Sequence, residues 1–167
     1  KMVEKIILLK EVLEHVGIYS FSDFYEYAYR WFKEEDYGVI EEKYSEKVTG
    51  NARDITVEWK CTKSASDYFK RDISVRMEIL GLTDVEAEID GKKRKMNKGR
   101  MRVELKGTII RDPNSKWDAS PFYRFLREMY NKYIVPGHVE SQEDLLKDDV
   151  RDVKEALKNF LEMQGKQ

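Results

Sequence analysis

From residue 38 the chain alternates between apolar and polar positions. Residues 38–49 alternate around Ile40, Tyr44 and Val48. After a turn at Gly50-Asn51, Ile55, Val57, Trp59 and Cys61 fall on one face, and Thr56, Glu58, Lys60 and Thr62 on the other. A period of two is the mark of a half-buried strand. Residues 68–80 repeat it with Phe69, Ile73, Val75, Met77 and Ile79; Val85, Ala87 and Ile89 suggest a fourth strand, and Met101, Val103, Leu105 and Ile109 a fifth. Short connections between such strands predict an antiparallel meander with one covered face. On that face Ile55, Val57, Trp59, Ile73, Val75, Met77, Val103 and Leu105 are the expected core.

Both ends of the chain read as helical. Val3, Ile6, Leu9, Leu13 and Val16 recur at intervals of three and four and predict a helix that stops near Gly17. Ser20 or Ser22 is suited to cap a second helix with the stripe Phe21, Phe24, Ala28, Trp31 and Phe32. The helical period returns after Pro113-Asn114. There Ser120 caps, Pro121 takes the first position, and Phe122, Phe125, Leu126, Met129, Tyr130 and Tyr133 share a face. Pro136-Gly137 breaks this helix, and Ser141 with Asp144 resembles a capping box for the last one, with Leu146, Val150, Val153, Leu157 and Phe160 as its stripe. The expected fold is α+β: a five-stranded antiparallel meander covered on one face by helices, in the order ααβββββαα, as one domain over residues 1–167. The first helix is expected to dock on its own domain, giving a monomer, or on a second copy in a weak homodimer.

Composition narrows the class. A hydrophobic content of 41% supports a real core, while 38% charged residues, 31 basic and 32 acidic, is well above the usual quarter. Excess Lys and Glu is the trend of heat-adapted proteins. A single cysteine, Cys61, excludes an internal disulfide or a cysteine-based zinc cluster. The apolar run Ile6-Ile7-Leu8-Leu9 is far short of the roughly 20 residues that span a bilayer. A cytoplasmic location is the expectation.

Residues 91–102 (GKKRKMNKGRMR) hold seven positive charges and no negative one, in a chain of formal charge −1. Read as a projecting hairpin tip, Lys92, Lys93, Arg94, Lys95, Lys98, Arg100 and Arg102 are a candidate polyanion-binding set, with RNA, a ribonucleoprotein or another polyanion as the expected partner ahead of a membrane surface. The tract lacks interleaved aromatics for base stacking. Residues 140–162, eight acidic and four basic, offer an internal counter-charge instead. A different class of function, small-ligand binding, rests on Arg71 turning inward with Phe69, Ile73 and Val75, and on Glu42 sharing a face with Ile40 and Tyr44. Arg71 and Glu42 would then line a cavity under the helices with Trp59 as its apolar wall.

His15 and His138 have no second ligand at metal spacing, and Cys61 reads as a small buried hydrophobe. No phosphate-cradling glycine motif is present. The reading leans away from an enzyme, with no catalytic residue, cofactor or metal expected.

Residues 85–93 (VEAEIDGKK) and 96–104 (MNKGRMRVE) resemble segments of uncharacterised archaeal proteins, a likeness that runs from about residue 20 to about residue 160 and implies no activity. A helix-covered antiparallel sheet is also similar in outline to the cavity-bearing helix-grip folds. Those begin with a strand, where two helices come first in this reading.

Overall fold

The structure, a computed structural model, describes residues 4–65, 69–111, 121, 122, 125, 129 and 135–165. Strand β1 (Glu4–Tyr19) leads into helix α1 (Phe21–Glu34). Strands β2 (Gly38–Thr49), β3 (Ala52–Ser64), β4 (Phe69–Ile89) and β5 (Lys92–Arg111) follow, and helix α2 (Val135–Gly165) ends the described chain. The five strands form one antiparallel sheet in the order β1-β5-β4-β3-β2. The class is therefore α+β with a five-stranded antiparallel sheet, and the order ααβββββαα is incorrect because a strand opens the chain.

That strand is where the predicted first helix lay. Ile6 pairs with Ile109 and Leu9 with Gly107, and Leu8 is an extra residue between them. A bulge adds one residue on one strand. It places Ile6, Leu9 and Leu13 at spacings of three and four on a single strand face, which imitates a helical stripe. Val16 breaks the imitation, at 71% exposed. The segment expected to dock as a helix is instead an edge strand hydrogen-bonded along β5.

The third and fourth predicted strands are one. β4 continues through Gly81, whose φ of 64° and hydrogen bond to Asp54 Oδ1 (2.9 Å) make a bulge where a turn was expected. Five strands are thus reached by a different tally: one expected helix became a strand, and two expected strands merged. α1 starts as read, with the Ser20 hydroxyl accepting from the Asp23 N–H at 3.3 Å. α2 begins earlier than read, at Val135, because Pro136 is tolerated in a first turn where its missing N–H has no partner to lose. Between β5 and α2, Pro121, Phe122, Phe125 and Met129 are helical, but Phe122 (64% exposed) and Phe125 (56%) do not face the core. Ser120, Leu126, Tyr130 and Tyr133 lie outside the described residues.

The helices cover one sheet face. Ile55, Val57, Trp59, Ile73, Val75, Met77, Val103 and Leu105 are all buried there, with Phe24, Ala28 and Phe32 of α1 and Leu146, Val150, Val153, Leu157 and Leu161 of α2. α2 comes closest at Gly107, where a Cβ would stand 3.0 Å from Val150 Cγ2 and 3.2 Å from Leu146 Cγ. Trp59 is ringed edge-on by Tyr25 (5.1 Å), Tyr29 (6.1 Å) and Phe32 (6.4 Å), a geometry favoured by the ring quadrupoles.

The uncovered face explains the high charge content. Reading across the register, Glu104, Arg76, Glu58 and Lys43 form one row, and Glu14, Arg102 and Glu78 the next. Signs alternate along each row, and Arg76 bonds both Glu58 (2.8 Å) and Glu78 (2.9 Å). Opposite charges directly across strands stabilise a sheet; like charges destabilise it.

Candidate functional site

The basic segment is not a loop. It is the first half of β5, paired residue by residue with the end of β4 from Val85↔Met96 to Ile89↔Lys92. Asp90 and Gly91 make the connection with φ of 52° and 76°. Two left-handed residues in an Asp-Gly pair match the two-residue hairpin turn whose twist suits antiparallel strands. The charges escaped strand recognition because, within residues 92–100, Met96 is the one buried side chain, leaving little apolar alternation to detect.

Ile89 and Met96 anchor this ribbon. Both are buried, and they border a hollow of about 220 Å³ shared with Phe160 and Met163 near the end of α2. Asn97 ties the ribbon to α1: its Oδ1 accepts from the Phe21 N–H (2.9 Å), and its Nδ2 donates to Asp84 (2.9 Å).

Two of the seven basic side chains are paired. Lys95 Nζ lies 4.0 Å from Asp84 Oδ2, and Arg102 meets Glu104 at 3.0 Å and Glu14 at 3.8 Å. Lys92, Lys93, Arg94, Lys98 and Arg100 are exposed and have no ion pair within 4.0 Å among the described residues. The opposing charge comes from β4, where Glu88 faces Lys93 and Glu86 faces Lys95. Among the described residues no ion pair joins the ribbon to α2, the internal partner that the sequence had offered. Asp149 of that helix is engaged elsewhere: it accepts from the Tyr37 hydroxyl (2.6 Å) and lies 3.7 Å from Arg71.

The three residues of the expected ligand cavity are not brought together. Trp59 is sealed under α1 and donates its indole N–H to Glu41 at 3.1 Å. Arg71 is inward, as its alternation required, and 8% exposed; its carboxylate partner is Asp149 from α2, not Glu42. Its Nε is buried without a hydrogen bond among the described residues. Glu42 sits in the bulge between Glu41 and Lys43 and borders a hollow on the uncovered sheet face. It shares that face with Ile40, which stands opposite Lys60 and is 62% exposed, so the face expected to turn inward there is the outer one, and the bulge brings only the later Tyr44 round to the helix side.

Cys61 is buried, and burial pushes its thiol pKa up, so it is a poor nucleophile. His15 stacks edge-on against Tyr19 (5.5 Å), and burial pulls its pKa down. His138 falls within α2. No cluster of three His, Cys, Asp or Glu side chains suited to a metal occurs among the described residues, and no described helix is long and apolar enough to cross a membrane.

A larger hollow was also not foreseen. Between α1 and β2, Phe21, Tyr25, Tyr29 and Tyr44 line about 660 Å³ of groove with Glu41 and Arg53 at its polar side. The clue was present as Tyr25 and Tyr29 flanking the α1 stripe, yet the facing Tyr44 is set by tertiary pairing. The Tyr25 hydroxyl donates to Glu41 (2.5 Å), and burial together with this carboxylate pushes its pKa up to about 12. The sequence matches no protein-family description and no curated protein.

Proposed function

We propose that the protein is a non-enzymatic binding module whose β4–β5 ribbon contacts the phosphate backbone of RNA. The observation that carries this reading is the set of five exposed basic side chains on the ribbon with no ion pair among the described residues. Lys92, Lys93, Arg94, Lys98 and Arg100 sit on a paired, anchored ribbon, so little order is lost when they meet phosphates. The glutamates across the ladder, Glu86 and Glu88, limit the positive excess, so binding is expected to be local to the ribbon and strongly salt-dependent.

The test is fluorescence anisotropy with a single-stranded RNA over a range of salt. If four of the charges reach phosphates, the log–log slope is roughly −3, at about −0.7 per contact. Replacing Lys93, Arg94, Lys98 and Arg100 with serine should flatten that slope with little change in melting temperature, since exposed charges contribute little to stability. Absence of binding at low salt, or an unchanged slope in the variant, refutes the reading.

A second reading, small-ligand binding, is favoured by the tyrosine-lined groove between α1 and β2. The opening strand also removes the difference in order from the helix-grip folds, a likeness of architecture only. Trp59 lies against Tyr25 and Tyr29, so quenching of its fluorescence by a bound planar compound, lost in Tyr29→Ala, would favour this reading.

A further inference from the structure

One row from the charge-balanced ladder, the sheet face that no described helix covers changes character. Lys10, Lys106, Ser74 and Lys60 stand side by side on β1, β5, β4 and β3, and the adjacent row is Ile7, Thr108, Asp72 and Thr62. Lys10 is drawn aside to Glu104 at 3.5 Å. Lys60 and Lys106 have no carboxylate within 4.0 Å among the described residues, and neither has Lys5. These three lysines converge on one hollow of about 350 Å³ whose floor includes the hydroxyls of Ser74 and Thr108. One row from a ladder that pairs its charges, three cations with no ion pair among the described residues surround a concavity that two carboxylates also border.

Two carboxylates border it as well, Glu42 at the side and Asp72 in the floor. Asp72 is 6% exposed, although it points away from the helices. Its Oδ1 accepts from the Thr62 hydroxyl at 2.9 Å, and no donor to Oδ2 is found among the described residues. Burial raises its pKa, with Glu42 adding to the rise and Thr62, Lys60 and Lys5 opposing it. A bare oxyanion filling the hollow would be attracted by the lysines and repelled by Asp72 and Glu42. A ligand that carries its own hydroxyl beside the oxyanion satisfies both, since a carboxylate accepts that hydroxyl's proton in a hydrogen bond while ammonium groups and side-chain hydroxyls hold the phosphoryl oxygens.

We infer that this hollow binds a phosphorylated sugar, with Lys5, Lys60 and Lys106 on the phosphoryl group, Ser74 and Thr108 donating to its oxygens, and Asp72 accepting from a sugar hydroxyl. The same chemistry is offered by a free sugar phosphate and by a ribonucleotide within RNA. The inference does not rest on the ribbon, which lies beyond the balanced rows on the other side.

The experiment is an amide NMR titration of the full chain with ribose 5-phosphate, inorganic phosphate and a short RNA. Ribose 5-phosphate should produce saturable shifts at Asp72, Ser74 and Thr108. Lys60→Gln with Lys106→Gln should weaken its binding by about tenfold or more. Asp72→Asn should keep the fold while weakening ribose 5-phosphate relative to inorganic phosphate, because the amide is a poorer acceptor but no longer repels the anion. If RNA shifts the same three amides, the ribonucleotide is the source; if it shifts only ribbon amides, the free sugar phosphate is. No saturable shift at these amides with any of the probes, no effect of the lysine pair, or an equal loss of both small ligands in Asp72→Asn overturns the inference.

Discussion

Removing the Asp149 carboxylate tests how the sheet and α2 are held together. Asp149 is the carboxylate paired with Arg71, which is 8% exposed on the helix-covered face, and it also accepts from the Tyr37 hydroxyl. Breaking one side of a buried ion pair costs about 3–5 kcal/mol, because the remaining charge keeps its desolvation penalty. Asp149 itself is partly exposed and the contact is 3.7 Å, so the low end applies, about 3 kcal/mol for Asp149→Ala. Tyr37→Phe removes only the hydroxyl and should cost about 1 kcal/mol. Replacing the pair together, as Arg71→Met with Asp149→Leu, should restore most of the loss, within about 1 kcal/mol of the parent. Urea unfolding reads each change. With a slope of about 2 kcal/mol/M, Asp149→Ala should move the midpoint down by roughly 1.5 M at unchanged slope. A loss below about 1 kcal/mol, or a double variant less stable than Asp149→Ala, would show that Arg71 is not dependent on this carboxylate.

Gly107→Ala should destabilise the fold by about 1–3 kcal/mol, because the new methyl meets Val150 and Leu146 of α2 at 3.0–3.2 Å; an unchanged unfolding midpoint would mean that α2 sits farther from β5. His15 is held below its ordinary pKa of 6.5 by burial, with Glu162 and the Ile18 carbonyl opposing. The unfolded chain therefore takes up the proton more readily, and stability is undiminished above pH 6.5 but falls as the pH drops through that value toward the folded one. Melting temperatures at about pH 7.5 and about pH 5.5 should show a smaller drop in His15→Leu than in the parent, and equal drops would rule out this contribution.

Much of the covered face was legible locally. The run Ile55-Val57-Trp59-Cys61 set the register of β3 without help, since inverting it would have buried Glu58 and Lys60. Ser20 as the start of α1, and the stripe from Leu146 to Leu157, were equally plain, because a cap and a 3.6-residue period are properties of a few consecutive residues. Arg71 was placed inward by alternation alone. What alternation does not contain is the neighbour: Asp149 comes from a helix some eighty residues away, and Glu42, the partner suggested by its sharing a face with Ile40, lies with Ile40 on the outer face of β2.

Bulges account for the larger departures. One inserted residue at Leu8 made a strand look like a helix, and the Gly81 bulge made one long strand look like two with a turn between them. Each becomes visible only when the partner strand supplies a register. The candidate sites divide in the same way. Which side chains are basic, and which alternate with apolar ones, is plain from the residues alone, so the concentration of charge in residues 91–102 is visible without a structure. The Asp90-Gly91 hairpin sets Glu86 and Glu88 against that segment, while the strand order β1-β5-β4-β3-β2 makes Lys60 and Lys106 converge across Ser74. Periodicity is a short-range property of the chain, whereas the charge a side chain meets depends on which distant strand lies about 5 Å to its side.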